Sequence, residues 1–485
     1  MTLLRPRALL PVGFASGIAL AIVWLTPAAA MAAFSLPDEF DAGFLASRDT
    51  GIDGSERLRI AGPIFEASHP DSRTDFVALR PLFSRKVLDE DDPDFLDVLW
   101  PLYTRREYRD DMQWRCLTLV SHDFDTSDPA SRYRFWGLPI FFKGRDVHGE
   151  KYLGLFPIGG SIHEIIGQDE IRFVMFPAYA RSRFKERETT SVMWPIFSHT
   201  QSPTEERWRV FPFYGQSTDS RAGENRRFVL WPIWTSIEYD DPPGRGFALF
   251  PLFGRVERAD QSTWMVLPPF FRHSRRGDDV EALLPWPFVK IRRGAVRETT
   301  IWPLWGHKDT EGVERIFAAW PLGWHERIRR DTGSLTRTML VPFYYYERDQ
   351  SQSPETRYWK IWPLLSYQRS GHASRIRMLE LWPLRDTPPI ERNYSPLWTL
   401  LRYERLEDAR ETEFLWGFYR HRRDVGGHRK MSLFPFVDWE RREDPSPKCS
   451  WSILKGLIGY GRTDEERMFR LLYFLRFGVG EGGAP

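Results

Sequence analysis

Cysteine is scarce in this chain: among its 485 residues, only Cys116 and Cys449 carry a thiol. Two cysteines exclude a framework of several disulfides. Neither of them lies in a CxxC pattern or in a motif that marks a nucleophile. A single long-range bridge and two unpaired thiols both fit the count, so the sequence leaves their pairing open.

The chain also lacks an excess of charge of one sign. Lys and Arg number 68 against 66 Asp and Glu, which gives a net charge of +2. Proteins that bind nucleic acid usually carry a basic excess. We therefore expect no nucleic-acid partner.

Motifs for known chemistries are missing as well. The sequence contains no HExxH, CxxC, Walker loop or GxSxG. Its 11 histidines are scattered, and His199 and His307, each four residues after a proline, fit solvated strand ends better than a metal site. The Gly-rich segment FPIGGSI around Pro157 follows the apolar centre of a repeat and does not precede a helix. The evidence that it binds phosphate is therefore weak. We predict no catalytic, cofactor-binding or metal-binding residue, and a protein that is not an enzyme.

Long apolar runs are absent except at the start of the chain. There MTLLRPRALLPVGFASGIALAIVWLTPAAAMAA combines Arg5 and Arg7, an uncharged apolar stretch, and the small-x-small pattern Ala30-Met31-Ala32. These features are typical of a secretory signal peptide, and we predict one over residues 1–32. An uncleaved membrane anchor is the alternative, because the stretch is long enough to span a bilayer.

Aromatic residues, in contrast, are abundant, at 15% with 21 Trp and 35 Phe, and they recur with proline in a repeat. Short segments such as WPIW, FPLF and WPLW return every 17 to 21 residues, separated by polar stretches such as DDPPGRG. Gly417, Gly456 and Thr118 stand where three copies lack proline. The prolines are Pro63, Pro81, Pro101, Pro139, Pro157, Pro177, Pro195, Pro212, Pro232, Pro251, Pro268, Pro287, Pro303, Pro321, Pro342, Pro363 and Pro383, with weaker copies at Pro396 and Pro435.

A fixed period with an apolar centre indicates one repeated structural unit. Central proline disfavours helical repeats of this period, and short polar links favour antiparallel neighbours. We therefore predict an all-β, up-and-down antiparallel meander of about 20–22 strands, one per repeat of ~19 residues, closed or strongly curved into a barrel. A β-propeller-like fold or an open curved sheet is the alternative. The propeller would need an extra turn near each proline, for which WPLW is a poor tight turn.

The predicted strands have both faces apolar at their centres, over about 25 Å. This height matches the wall of an outer-membrane barrel. The last strand, Arg470 to Phe477, alternates Leu471, Tyr473, Leu475 and Phe477 and resembles the aromatic-terminated closing strand of such barrels, although GVGEGGAP follows it.

We thus expect a signal peptide (1–32), an N-terminal linker (33–58), one β-repeat domain (59–477) and a C-terminal tail (478–485). The expected function is that of an exported envelope protein, an outer-membrane barrel with a structural, pore-like or lipid-contacting role. Membrane lipid is the expected partner. The alternative is a soluble periplasmic or secreted scaffold that binds lipid, glycan or protein.

Overall fold

A computed structural model describes residues 39–71, 74–87, 94–128, 130–442, 448–463 and 466–480. The predicted signal peptide and the residues after 480 lie outside this part of the chain. The chain divides into two compact units. Unit 1 contains residues up to Arg109 together with those from Trp362 onward, and unit 2 contains Asp110–Ile361.

The strands are short, mostly five or six residues long. Unit 1 begins with β1 (Phe40–Asp41), β2 (Ala46–Thr50), β3 (Glu56–Ile60), β4 (Phe65–Asp71), β5 (Thr74–Leu79), β6 (Phe83–Val87), β7 (Asp94–Val98) and β8 (Tyr103–Tyr108). Unit 2 contains β9 (Asp111–Cys116), β10 (Val120–Asp125), β11 (Tyr133–Gly137), β12 (Phe141–Arg145), β13 (Lys151–Leu155), β14 (Gly159–Ile165), β15 (Gln168–Val174), β16 (Tyr179–Phe184), β17 (Arg187–Val192), β18 (Phe197–Gln201), β19 (Glu205–Val210), β20 (Tyr214–Asp219), β21 (Glu224–Val229), β22 (Trp234–Tyr239), β23 (Gly244–Leu249), β24 (Phe253–Arg258), β25 (Gln261–Val266), β26 (Phe271–Arg276), β27 (Asp279–Leu283), β28 (Val289–Arg293), β29 (Arg297–Ile301), β30 (Trp305–Thr310), β31 (Val313–Ala318), β32 (Gly323–Arg330), β33 (Gly333–Leu340), β34 (Tyr344–Asp349) and β35 (Thr356–Ile361).

Unit 1 resumes with β36 (Leu365–Ser370) and β37 (Ala373–Met378), followed by the helices α1 (Pro388–Asn393) and α2 (Ser395–Trp398). It ends with β38 (Leu401–Leu406), β39 (Ala409–Phe414), β40 (Tyr419–Arg423), β41 (Arg429–Leu433), β42 (Val437–Arg442), β43 (Lys448–Ile453), β44 (Ile458–Thr463), β45 (Glu466–Leu471) and β46 (Leu475–Gly480).

The predicted all-β antiparallel meander is confirmed, with 46 strands among the residues that the structure describes. Strands that are neighbours in sequence pair antiparallel, as β21 does with β22 and β22 with β23. Within the described residues β1 pairs with β2 and β46 with β45, and the sheet does not close. The structure therefore has the open sheet, which was the alternative to a closed barrel.

Each repeat contributes two strands instead of the single longer strand that we predicted. The reason is visible at Pro232, which lies in the turn 230–233 between β21 and β22. The Ile233 amide donates to the Leu230 carbonyl oxygen over 2.8 Å and closes this four-residue turn. Proline has no N–H to donate, so a turn accommodates it without interrupting a strand ladder.

A meander places successive turns on alternate edges of its sheet. In unit 2 one edge therefore carries the prolyl turns, and the other carries polar loops such as 220–223 (SRAG) and 240–243 (DDPP). A six-residue strand separates the two edges by ~20 Å.

Unit 2 folds over itself at the Gly-rich segment after Pro157. Strand β14 pairs with β13 only at Gly154↔Gly160 and Leu155↔Gly159 and then leaves it. Gly160 has a φ of +124°, and a Cβ there would lie 2.1 Å from the Leu153 carbonyl oxygen, so only glycine fits this approach. The fold-over buries a small hydrophobic core, made of Phe142, Tyr152, Ile162 and Phe173.

Unit 1 departs from the repeat between β37 and β38. The segment 379–400 contains α1 and α2 where we predicted repeat copies at Pro383 and Pro396. Proline lies at the start of each helix, a position where its missing N–H breaks no helical bond.

Two other predictions at the ends of the chain also differ. The segment Arg470 to Phe477 is broken by a turn between β45 and β46, so it is not one alternating strand. Strand β1 begins at Phe40, inside the stretch 33–58 that we expected to be a linker. Gly417 and Gly456 lie in turns between strands, as the prolines of the other copies do, and not at the strand centres that we predicted.

Candidate functional site

The prolyl turns of unit 2 form a continuous apolar border, which we call the apolar edge. Its turns contain only Leu, Ile, Val, Ala, Met, Phe, Trp and Pro. The indole N–H is thus their only polar side-chain group. The turns are 138–140, 156–158, 175–178, 193–196, 211–213, 230–233, 250–252, 267–270, 284–288, 302–304, 319–322 and 341–343.

The side chains of the apolar edge are exposed. Trp231 is 52% accessible and Leu304 68%. Trp194, Ile233 and Trp320 are similarly open. A contiguous exposed apolar surface of this length marks a site of contact with a partner or a membrane.

Neighbouring turns contact each other through their aromatic rings. The ring centroids of Phe156 and Phe176 lie 5.4 Å apart, and those of Phe176 and Trp194 lie 5.9 Å apart. Trp302 and Trp320 repeat the arrangement at 6.0 Å. In these turns each ring packs on the ring of the next turn, so their side chains form rows instead of isolated groups.

The backbone of the apolar edge is satisfied by its own neighbours. The Leu230 amide donates to the Phe213 carbonyl oxygen over 2.7 Å, and the Phe250 amide donates to Ile233 over 2.8 Å. Each turn is thus hydrogen-bonded to the turn before it. An apolar medium penalises unpaired backbone groups by several kcal/mol, and this bonding removes much of that penalty.

From residue 193 to residue 270, turns of four residues alternate along the edge with turns of three residues. Turns such as 193–196, 230–233 and 319–322 have an additional first residue with positive φ, for example Leu230 at +50°. In these turns the tryptophan amide donates a second bond to the carbonyl of the preceding turn's proline, as Trp231 does to Pro212 over 2.7 Å. This alternation is the physical basis for the likeness of WPIFS to WPIWT and of FPFYG to FPLFG.

Charged side chains lie on the strands between the two edges, mostly in ion pairs. Arg226 Nη2 lies 2.6 Å from Glu224 Oε2, and Arg292 donates to Glu281 over 2.8 Å. Burial raises the pKa of Glu281, but hydrogen bonds and positive charge from Arg292 and Arg272 outweigh it, so the pKa lies below its ordinary value. Most of the charged side chains on the strands beside the apolar edge are therefore paired with a side chain of opposite charge.

Sequence reasoning predicted no site residues, and it placed the apolar segments at strand centres. His199 and His307 lie in different repeats, and each faces a glutamate, Glu206 at 3.8 Å and Glu314 at 3.4 Å. Cys116 in unit 2 and Cys449 in unit 1 form no disulfide. The apolar edge was missed because turns are expected to be polar. Its signal in the sequence was the proline at the centre of nearly every copy.

No helix within the described residues combines the length and the apolarity that crossing a bilayer requires. The fold defines the protein as an all-β tandem-repeat protein, whose unit 2 has one apolar and one polar border. No protein-family model matches the chain, and no curated protein matches it.

Proposed function

We propose that the protein is an exported, non-enzymatic envelope protein whose apolar edge lies in the interfacial layer of a lipid membrane, the outer membrane. The observation that carries the proposal is the row of exposed apolar turns with hydrogen-bonded backbones, opposite a polar border. Tryptophan is enriched where proteins meet the membrane interface. The predicted signal peptide supports export.

Strand length favours contact with the membrane surface over a wall that spans it. A membrane-spanning strand needs about 9–11 residues, whereas β21 and β22 have 6 each. The short strands therefore keep the polar border in water while the apolar edge reaches the lipid. The alternative function is a soluble periplasmic or secreted scaffold that covers the same edge with a bound lipid, glycan or protein.

Vesicle flotation tests the proposal. The purified mature chain is expected to float with neutral phosphatidylcholine vesicles in high salt, because the contact is apolar and the strand charges are paired. Tryptophan emission is expected to shift to shorter wavelength on binding. Ile233→Asp together with Leu304→Asp is expected to weaken binding at least about tenfold, since each replaces an apolar side chain worth about 1 kcal/mol or more on burial.

Ile166→Asp is the matched control. Ile166 is 87% exposed but lies in the loop between β14 and β15, on the polar border. Its substitution is expected to leave flotation unchanged. A wild-type chain that stays unbound, or a control that binds as weakly as the edge variant, would contradict the proposal.

Cell fractionation tests the location separately. We expect the mature chain in the outer-membrane fraction, released by detergent but retained through a high-salt wash. Recovery in the soluble periplasmic fraction, with lipid or glycan bound, would instead favour the scaffold alternative.

A further inference from the structure

The fold-over of unit 2 brings together three potential metal ligands from the loop before β13 and from β14. Asp146 and Glu150 lie in the loop between β12 and β13. His163 lies in β14, beyond the two residue pairs that join β14 to β13. Because β14 leaves β13 after Gly160 and contacts β12, the imidazole reaches the loop between β12 and β13.

The three side chains have the spacing of a metal site. Their ligand atoms all lie within 4.8 Å of one another. His163 Nδ1 lies 2.9 Å from Asp146 Oδ2. Ligands about 2.1 Å from one metal ion are separated by at most about 4.2 Å, so small side-chain movements would suffice.

Two of the proposed ligands, His163 and Asp146, are buried, and the third, Glu150, is accessible to solvent. His163 is 3% exposed and Asp146 8%, whereas Glu150 is exposed. A concavity of about 420 Å³ is lined by residues that include Glu150, His163, Glu170 and Arg172. An ion in solution therefore has a path to the cluster.

The surroundings of the cluster hold its ligands in orientation, as outer partners of metal sites do. His163 Nε2, the nitrogen that faces away from Asp146, lies 3.6 Å from Glu170 Oε1. The imidazole also stacks on Tyr152 at 4.7 Å. Asp146 Oδ1 accepts the amides of His148 and Glu150, both at 2.9 Å, and this leaves Oδ2 directed at His163.

We propose that Asp146, Glu150 and His163 bind a divalent transition-metal ion of the zinc class. An imidazole nitrogen beside two carboxylates suits Zn²⁺, whereas Ca²⁺ and Mg²⁺ prefer oxygen ligands alone. The ion would tie the loop 146–150 to β14 across β13. This role is independent of the apolar edge and of membrane binding.

Metal analysis of the full mature chain tests the site. The protein is stripped with a chelator, incubated with Zn²⁺, passed through gel filtration and assayed for bound metal. Wild type is expected to retain one more Zn²⁺ per chain than His163→Ala. Glu150→Gln, which changes an exposed side chain and therefore leaves folding intact, is expected to lower Zn²⁺ affinity at least tenfold.

His325→Ala is the matched control, because His325 also lies in unit 2 but hydrogen-bonds Thr338. It is expected to bind Zn²⁺ as wild type does. Zn²⁺ is also expected to slow hydrogen exchange at 146–150 and 159–165 in wild type and not in Glu150→Gln. The proposal is overturned if wild type retains no Zn²⁺, if Glu150→Gln binds it with unchanged affinity, or if Ca²⁺ gives the same protection.

Discussion

In several strands a glycine lies three residues after the proline of the preceding turn. A side chain from the next strand covers this glycine. Gly215 pairs with Phe228, and Gly306 pairs with Phe317. A Cβ on Gly306 would lie 2.1 Å from Phe317 Cε1, and one on Gly215 would lie 2.2 Å from Phe228 Cε1. Aromatic rings that cover strand glycines in this way stabilise sheets across strands.

Gly306→Ala is expected to destabilise this part of the sheet by about 1–3 kcal/mol, because the new methyl group displaces the Phe317 ring. Hydrogen exchange of β30 and β31 measures the effect locally. Gly137→Ala is the control, since a Cβ there meets Phe141 at an ordinary 3.5 Å. Equal acceleration of exchange around both sites would show that the ring contact is unimportant.

At the scale of elements, the segment 379–400 is held inside unit 1 by a buried carboxylate. Asp97 in β7 is 2% exposed. It accepts hydrogen bonds from Arg392 Nε over 2.8 Å and from Asn393 Nδ2 over 2.9 Å. Arg80 donates to the Arg392 carbonyl oxygen over 2.6 Å. Helices as short as α1 and α2 are unstable alone, so these contacts hold them in place.

Asp97→Ala is expected to release this segment, at a cost of about 3–5 kcal/mol, because it leaves the Arg392 guanidinium without its carboxylate. Limited proteolysis should then cut within 379–400 at a protease concentration that leaves wild type intact. Asp75→Ala removes an exposed carboxylate from β5 and should not change the cleavage pattern. Resistance of Asp97→Ala to proteolysis would show that other contacts suffice.

At the scale of the whole molecule, unit 1 joins its early and late strands through buried ion pairs. Arg59 in β3 donates to Glu413 in β39 over 2.5 Å, and Arg420 in β40 lies 3.5 Å from Asp49 in β2. Burial raises the pKa of Glu413, but the charges of Arg59, Arg402 and Arg420 outweigh it and hold the pKa far below its ordinary value. Burial also raises the pKa of Asp49, but the charges of Arg59 and Arg420 outweigh it, so this pKa lies below its ordinary value.

Unit 1 is therefore expected to lose stability in acid. A carboxylate whose pKa is lower in the folded state stabilises the fold above its unfolded pKa, about 4.3 for glutamate, and loses this contribution as pH falls further. Hydrogen exchange of β2, β3, β39 and β40 should accelerate below about pH 4.3. Glu413→Gln should cost about 3–5 kcal/mol at pH 7 and flatten this dependence.

Glu56→Gln serves as the control for Glu413→Gln. Glu56 lies 3.6 Å from Arg48, and its side chain is 58% exposed. Exposed pairs contribute about 0–1 kcal/mol, so its loss should change stability little. If the two variants behave alike, the buried pairs do not hold unit 1 together.

The sequence by itself determined the class of the fold. A fixed spacing of apolar segments, polar links and proline argued against helical repeats and favoured antiparallel neighbours, because these conclusions depend only on local backbone chemistry. It also located every unit 2 prolyl turn, although we interpreted the segments as strand centres. The local pattern did not distinguish a bent strand from a turn, since both tolerate proline beside large apolar residues.

Only the tertiary structure decided which apolar side chains are exposed to solvent and which charged side chains form ion pairs. The apolar edge exists because neighbouring turns hydrogen-bond one another, as Leu230 does with Phe213, and no single repeat contains that information. His163 reaches Asp146 where β14 leaves β13 and contacts β12, and Arg59 reaches Glu413 across 354 residues of sequence. Such contacts depend on the path of the whole chain, which local pattern does not encode.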